Sequence, residues 1–283
     1  MNHDQLFDEL LLYAAESYGS DEKPIFKPTP NIGEGEASKE EHDYRAELLL
    51  LLGVFFSRVM ENLKTQYPNS NKIVRIENLG SEWTYTAGQT IERQLNKIFQ
   101  LGVKDMNLQL QAVGLAPQAK TGNMKYYTLL QQQTSNLEFI SREVIDKLSQ
   151  QLRIQDIEKQ FTTSREARTQ PTPNNVFNVA KRRTDAMGSY GANVAFVTGQ
   201  QTAAQEWIDT ILLDWVTAHD RKVCKTCIGY EEMGPYKVDK VPIIPHNFCR
   251  CRLRVHRTGN NEYDMGNPLI PLAILNELEK EEQ

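Results

Sequence analysis

Four cysteines and one histidine in the second half of the chain have the residue types and the spacing of a metal site. Cys224 and Cys227 form a Cys-x-x-Cys pair. Cys249 and Cys251 form a Cys-x-Cys pair, and His246 lies just before them. Zinc in proteins prefers four tetrahedral ligands drawn from cysteine sulfur and histidine nitrogen. Five candidates therefore compete for four positions: either all four cysteines bind the metal, or His246 replaces a member of the second pair.

Three states of these thiols are open: zinc ligands, disulfides, and reduced thiols within a core. The amino terminus carries acids where a signal peptide would carry Lys or Arg. The longest apolar run, residues 48–56, is shorter than the roughly 20 residues that a membrane span requires. We therefore expect a soluble protein without a membrane span, made in a cytosol where thiols stay reduced. Disulfides stay open because a particle released from the cell would meet oxidising conditions.

A period-two pattern runs through the second cysteine pair and predicts a β-strand, since side chains alternate between the two faces of a strand. One face would carry Cys249, Cys251, Leu253 and Val255, and the other Arg250, Arg252, Arg254 and His256. We expect the thiols to face inward and the arginines outward, where they could contact the phosphates of double-stranded DNA. The alternatives are a solvated face, or arginines paired with acidic groups of a chain whose net charge is −5.

The sequence around the cluster excludes one catalytic site and leaves others open. A zinc deaminase needs His-x-Glu ahead of Pro-Cys-x-x-Cys, and no histidine of this chain is followed by glutamate at that spacing. A metal-supported nuclease of the His-Asn-His type would use His246 and Asn247, with His256 as the downstream second histidine. A cysteine nucleophile with His246 as its base is also open, although nothing distinguishes one thiol from the others. A zinc-supported DNA-binding module is a further alternative.

Hydrophobic periodicity predicts a mainly helical chain. Residues 48–56 are apolar on all sides, which predicts that the helix at 39–66 is buried by its neighbours in a bundle. Further helices are predicted at residues 90–101, 136–161 and 176–199, and a strand at Leu212–Val216. Residues 102–127 show no single pattern. The expected fold class is α+β, predominantly α: a helical amino-terminal region followed by a small α+β domain that contains the cysteine-rich β element.

Shifts in composition divide the chain into six segments. Polar stretches that contain proline predict linkers at residues 19–38 and 162–175. The other segments are an amino-terminal helix at residues 1–18, a helical domain at 39–161, the cysteine-containing domain at 176–257 and a tail at 258–283. Within the tail, residues 272–282 predict a short acidic helix with a leucine face.

Two segments together match a recognisable pattern. The first comprises Arg183-Thr184-Asp185-Ala186 and Asn193-Val194-Ala195, and the second comprises Trp215, His219, Asp220, Arg221, both cysteine pairs, Pro242, Pro245 and His246. This pattern resembles the phage minor head protein family, the head-morphogenesis domain of the phage Mu F type, over roughly residues 177–255. Two positions depart from the family: Asn247 stands where proline is usual, and Asp185 stands where glutamate is usual.

The resemblance implies a structural virion component rather than an enzyme. Such a minor capsid protein of a tailed phage assists head morphogenesis and the packaging or ejection of DNA. It would lie at the portal vertex or in the capsid interior, after assembly in the host cytoplasm. The implied partners are the portal protein, the major capsid or scaffold protein, and the packaged double-stranded DNA. We expect the tail helix at residues 272–282 to dock on a portal or scaffold partner.

Overall fold

The computed structural model describes residues 36–66, 73–117, 124–160, 173–219 and 223–256. The predicted helices at residues 1–18 and 272–282 lie outside the described residues, as does most of both predicted linkers. The chain forms two compact units. One is built from parts of Tyr44–Glu92 and Gln131–Gly188, and the other from parts of Thr29–Asp43, Arg93–Leu130 and Ser189–Gln283.

Long helices account for most of the described chain, and the predicted fold class, α+β and predominantly α, is confirmed. Helix α1 spans Glu36–Gln66, α2 spans Ile73–Ala112, α3 spans Met124–Gln160 and α4 spans Pro173–Ala204. Each of the four helices predicted within the described residues is present, but its predicted bounds are too short at one or both ends. In α2, α3 and α4, buried residues continue beyond the segment in which the sequence pattern is clearest.

The largest difference from the prediction is α2, which extends well beyond residues 90–101. Its buried apolar positions recur at helical spacing: Trp83, Ala87, Ile91, Leu95, Ile98, Met106 and Leu110. The prediction ended at Leu101 because the following residues show no single pattern: leucines alternate with glutamines there, and glycine and proline interrupt the stretch. The helix instead continues to Ala112, and Gly114 follows with a φ of +80°. Part of the stretch that showed no single pattern is therefore helical.

Gly102 and Gly199 mark a close crossing of α2 and α4 in the second unit. A Cβ at Gly102 would collide with the carbonyl oxygen of Phe196, and a Cβ at Gly199 would collide with that of Phe99. The two helices approach backbone to backbone here, which only glycine permits. The predicted end of the last long helix at Gly199 is therefore wrong, and α4 continues to Ala204.

In the first unit, the core is built around the apolar segment of α1. Residues 48–56 are mostly buried. Phe55 stacks on Trp83 of α2 with ring centroids 4.9 Å apart, and Phe56 packs on Phe177 of α4 at 5.0 Å. The predicted burial of this segment in a helical bundle is confirmed.

An ion pair between a buried arginine and a half-buried aspartate joins α1 to α4 in the same unit. Arg45 is 1% exposed, and its Nε and Nη2 both lie 2.8 Å from Asp185 Oδ1. Gly188 leaves room for the arginine stem, since a Cβ there would lie 3.1 Å from Arg45 Cγ. The Arg-Thr-Asp segment that carries part of the family resemblance therefore holds two helices together.

A small antiparallel sheet lies in the second unit. Its strands are β1, Leu212–Val216, β2, Tyr236–Lys237, and β3, Arg252–Val255, in the order β2-β1-β3. Helix α5, Lys225–Met233, lies between β1 and β2 in the chain. The predicted strand at Leu212–Val216 is confirmed. Among the described residues, no helix is long and apolar enough to span a membrane.

Glutamine side chains pair with the outer edge of β3. The N–H of Leu253 donates to Gln200 Oε1 and its carbonyl accepts from Gln200 Nε2, both at 2.9 Å. The N–H of Val255 donates to Gln109 Oε1 at 2.9 Å. Asp105 Oδ2 accepts from the amides of both Gln109 and Gln200, at 2.8 and 2.7 Å. The two amides occupy the place of a further strand, so this edge is closed to strand pairing with another chain.

Candidate metal centre

Helix α5 begins at the first cysteine pair. Cys224 is the N-cap residue, and its Sγ accepts a hydrogen bond from the backbone N–H of Cys227 at 3.3 Å. Cys227 lies in the first turn of the helix and is 1% exposed, whereas Cys224 is half-buried. The three-residue spacing therefore brings both sulfur atoms to the same end of α5.

Glu231 fixes α5 against the end of β1. Its carboxylate accepts hydrogen bonds from the backbone N–H and the hydroxyl of Thr217, at 3.2 and 2.8 Å. His219 Nε2 lies 3.0 Å from the same carboxylate. The ring of Trp215 packs edge-on against Tyr230 of α5, with centroids 5.4 Å apart. These contacts position the first cysteine pair relative to the sheet.

The second cysteine pair lies on the segment that leads into β3. Cys249 is 1% exposed and Cys251 is 5% exposed. The alternation continues along the strand, with Leu253 and Val255 buried and Arg252, Arg254 and His256 half-buried. The predicted inward orientation of the thiols is confirmed. The strand predicted from Cys249 onward is too long at its start: β3 begins only at Arg252, and both cysteines lie on the extended segment before it.

Two distances in the cluster match the edges of a zinc tetrahedron. Cys227 Sγ lies 3.7 Å from Cys249 Sγ and 3.5 Å from His246 Nε2. Zn–S bonds of about 2.3 Å and Zn–N bonds of about 2.0 Å separate two tetrahedral sulfurs by about 3.8 Å, and a sulfur from a nitrogen by about 3.5 Å. All four cysteines are free thiols. These donors therefore have the spacing of metal ligands.

The five predicted ligands fall into two overlapping groups. One group is Cys224, Cys227 and His246, and the other is Cys227, Cys249 and Cys251. Within each group the ligand atoms lie within 4.8 Å of one another, and Cys227 belongs to both groups. The cluster could therefore hold a metal ion. No further group of this kind occurs in the part of the chain that the structure describes.

The ring of His246 is oriented so that one nitrogen faces the thiols. Its Nδ1 lies 2.6 Å from the backbone carbonyl oxygen of Asn247, which can only accept a hydrogen bond. Nδ1 therefore carries a proton, and in the neutral ring the lone pair is on Nε2, the atom that faces Cys227. Histidine metal ligands commonly donate their second N–H to a carbonyl in this way.

The turn that follows His246 is held by α4. Phe248 has a φ of +60°, a left-handed conformation that bulky residues rarely adopt. Its backbone N–H donates to the hydroxyl of Ser189 at 3.2 Å, and Ser189 is fully buried. The hydrogen bond fixes the path of the chain between His246 and Cys249.

The thiols of the cluster shift one another's acidity in opposite directions. Burial raises the pKa of Cys227, and the hydrogen bond with Cys249 raises the pKa of Cys251. The same contact with Cys251 lowers the pKa of Cys249 to about 6. The three sulfurs therefore titrate as a group in which one proton leaves more readily than the others, and its loss leaves negative charge among them. Because metal ions bind thiolates, this charge favours a cation at the cluster.

Two of the three arginines predicted to contact DNA, Arg252 and Arg254, lie near acidic groups of the same unit. Burial raises the pKa of Asp105 and lowers that of Arg252, and the attraction between these two opposite charges offsets part of both shifts. Arg254 Nη2 lies 3.7 Å from Asp214 Oδ2, and His256 Nδ1 lies 2.8 Å from Asp214 Oδ1. DNA contact by Arg250, Arg252 and Arg254 stays a prediction. Phosphate groups would compete with these carboxylates for Arg252 and Arg254.

Comparisons with protein-family models, with curated proteins and with solved structures give no match. The resemblance to the phage minor head proteins therefore rests on the motif residues alone.

Sequence reasoning did not identify the residues that support the cluster. They are Asp105, Gln109, Ser189, Gln200 and Glu231. Four of them lie outside the stretch between the first and last cysteine, and only the folded chain brings them to it. The one available signal is Gln200-Gln201, two glutamines near the end of a helix rich in small residues, at 0% and 6% exposure. Such burial of amides indicates specific hydrogen-bond partners.

Proposed function

We propose that this chain is a minor capsid protein of a tailed phage, and that zinc joins the two cysteine pairs of its carboxyl-terminal domain. In this role it would lie at the portal vertex or in the capsid interior and assist head morphogenesis and the packaging or ejection of DNA. Its partners would be the portal protein and the major capsid or scaffold protein. The observation that carries the proposal is the convergence of both cysteine pairs and His246 on one cluster.

The contacts of the resembling residues support a structural role. Trp215 is 1% exposed and lies in the central strand of the sheet, where it packs on Tyr230. Asp185 pairs with the buried Arg45 in the first unit. Both residues make their contacts with the interior of the protein. Folding therefore accounts for the presence of an acid at position 185 and of tryptophan at position 215, without a substrate.

The donor set supports zinc as the metal. Thiolate and imidazole ligands suit zinc, whereas magnesium and calcium prefer oxygen ligands. The sheet beside the cluster consists of strands of five, two and four residues, which supply few ladder hydrogen bonds. A structural zinc site contributes on the order of 10 kcal/mol to folding. Such a contribution would suit a domain with so little regular structure around its cysteines.

Metal analysis combined with thiol titration tests the zinc site. The full chain would be purified without reductant or chelator, and its zinc content measured by plasma mass spectrometry. The thiols would then be titrated in denaturant. We expect one zinc per chain with all four thiols recovered. Two disulfides and no metal would contradict the zinc site while leaving the virion proposal open.

The virion proposal is tested on purified particles. DNA-filled particles from cells that carry the gene would be isolated on a density gradient, and the chain quantified against the major capsid protein by mass spectrometry. We expect few copies per particle. Deletion of the gene should reduce infectious particles, with rescue by the wild type and weaker rescue by Cys227→Ser. A chain that is absent from the particles would refute the proposal, whatever the metal content.

A metal-supported nuclease is the rival from another functional class. It would use His246, yet the Nε2 of this ring faces Cys227 and its Nδ1 is bonded to the carbonyl of Asn247. The second candidate histidine, His256, is bonded to Asp214. Metal-dependent nicking of supercoiled DNA that is lost in His246→Ala would favour the nuclease. A zinc-supported DNA-binding module would instead show steep, salt-dependent affinity for duplex DNA without cleavage.

A further inference from the structure

We infer that zinc rests on the three buried thiols of Cys227, Cys249 and Cys251, and that Cys224 and His246 are alternative fourth ligands. This inference depends on the proposed zinc site and goes beyond it by assigning the ligands. The sequence suggested two ligand sets: all four cysteines, or a set in which His246 replaces a member of the second pair. The geometry points to an exchange between His246 and Cys224 instead.

The three buried thiols form the fixed side of the site. Their exposures are 1%, 1% and 5%, and their sulfur atoms lie within 4.8 Å of one another. Cys251 directly precedes β3, which is paired on one edge with β1 and on the other with the amides of Gln109 and Gln200. Cys227 belongs to α5, which Glu231 attaches to the end of β1. A movement of these thiols would disturb the sheet or α5.

Cys224 and His246 form the outer side of the site. Both are half-buried, and together with Cys227 they make up the second group of donors. Cys224 precedes the first residue of α5, and His246 lies in a turn between β2 and β3. Neither residue is fixed inside a helix or a strand, so each can rearrange without disrupting regular structure.

Both outer donors are already oriented as ligands. Cys224 Sγ accepts the N–H of Cys227, a hydrogen bond that stabilises charge on the sulfur. His246 donates its Nδ1 proton to Asn247 and keeps Nε2 for the metal. Each residue therefore presents a donor atom next to Cys227, the thiol that both groups share.

The cluster has five donors for the four positions of a tetrahedral ion, so one donor must stay unbound. A tetrahedral ion bound to three thiolates has one position left, and Cys224 and His246 are the two further donors grouped with Cys227 beside it. They cannot bind together unless a buried thiol leaves. An exchange breaks the bond from zinc to Cys224 Sγ and forms a bond to His246 Nε2, and the released thiolate takes a proton from water. The coordination changes from four sulfurs to three sulfurs and one nitrogen, and the buried side does not move.

Variants of the full chain test this assignment. The set is Cys224→Ala, His246→Ala, the double variant, and Cys251→Ala as the comparison on the buried side. Zinc content would be measured by plasma mass spectrometry and affinity by competition with a chelating indicator. We expect each single outer variant to keep one zinc with an affinity within about tenfold of the wild type. The double variant and Cys251→Ala should each bind zinc at least about 100-fold more weakly.

X-ray absorption at the zinc edge gives a second readout, because it counts sulfur and nitrogen ligands directly. His246→Ala should show four sulfurs, and Cys224→Ala should show three sulfurs and one nitrogen. If an alanine variant does not fold, as judged by circular dichroism, Cys224→Ser and His246→Gln provide the same comparison with smaller changes.

The outcomes separate this inference from the zinc site on which it depends. A loss of affinity in either single outer variant as large as that in Cys251→Ala overturns the inference and leaves the zinc site standing. Two zinc ions per wild-type chain also overturn it, since Cys227 would then bridge two metals. A wild-type chain that binds no zinc overturns the site itself.

Discussion

The side chain of Gln200 makes with the backbone of Leu253 the two hydrogen bonds that a neighbouring strand would make, each 2.9 Å long. Leu253 lies two residues beyond Cys251, at the end of the segment that carries the second cysteine pair. The start of that segment is held by the hydrogen bond from Phe248 to Ser189, which belongs to the same helix as Gln200. Helix α4 therefore determines the path of the second cysteine pair at both ends.

Removal of the Gln200 amide should destabilise the protein. Gln200→Ala leaves the buried N–H of Leu253 without its acceptor, which costs about 1–3 kcal/mol of unfolding free energy. Urea unfolding followed by circular dichroism measures the change. Gln111→Ala on the exposed face of α2 is the matched control and should change stability by less than about 0.5 kcal/mol. Equal effects of the two substitutions would show that the edge pairing contributes nothing.

Alanine at Gly102 should be strongly destabilising, because its Cβ would collide with the backbone of α4 at Phe196. We expect a loss of about 3 kcal/mol, the upper part of the range for overpacking. Gly88→Ala in the same helix meets nothing within 4 Å and should stabilise the protein by about 0.5–1 kcal/mol. Thermal unfolding of the two variants should shift in opposite directions, and parallel shifts would contradict the close helix crossing.

Loss of the carboxylate at Asp185 should destabilise the first unit. Asp185→Ala removes an ion-pair partner of Arg45, a guanidinium that is 1% exposed, although Asp185 itself is 25% exposed, and we expect a cost of about 2–3 kcal/mol. The surface pair of Glu138 with Arg142 is the control. Glu138→Ala should cost less than about 0.5 kcal/mol, because both side chains are more than half exposed. Denaturant midpoints of the two variants test the difference.

The pH dependence of stability should carry a contribution from Asp105. Burial raises its pKa above the ordinary value of 3.8, although the two glutamine amides and the charge of Arg252 act in the opposite direction. A carboxyl with a raised folded pKa contributes stability that is fully present below pH 3.8 and is lost as the pH rises through the raised value. The unfolding free energy of the wild type minus that of Asp105→Asn should therefore decrease as the pH rises above 3.8.

The comparison with Asp105→Asn cancels the titration of all other groups, because both proteins share them. Urea unfolding at a series of pH values gives the difference directly. A difference that grows with pH would mean that the ionised carboxylate is stabilised in the folded protein, opposite to the direction argued from its burial.

Removal of zinc by a chelator should change the environment of Trp215 while much of the helix content remains. Trp215 packs on Tyr230 of α5, the helix that begins at the first cysteine pair. If zinc leaves, α5 loses its link to the second pair, and the fluorescence of Trp215 should shift towards that of an exposed indole. Trp215→Phe should abolish the shift. A shift that persists in this variant would come from another tryptophan and would contradict the assignment.

The sequence by itself determined several local features. Alternation along the cysteine-rich segment predicted which side chains face inward, because successive side chains of an extended chain point to opposite sides. The segment of α1 that is apolar on all sides predicted burial, because such a helix must be covered by its neighbours. The spacing of the cysteines with His246 predicted a group of metal-type ligands, and the structure brings these residues together.

Only the tertiary structure decided which metal-type donors lie close together and which residues support them. Cys224 groups with His246, and Cys249 groups with Cys251. Both groups include Cys227, because the first turn of α5 and the segment that leads into β3 meet there. The length of α2 and the role of Gly102 also escaped local reasoning. A glycine lowers helix propensity wherever it stands, and its value at a helix crossing depends on a partner that is distant in sequence. The supporting residues Asp105 and Gln200 escaped for the same reason, since they stand 95 positions apart and acquire their roles only when the chain folds.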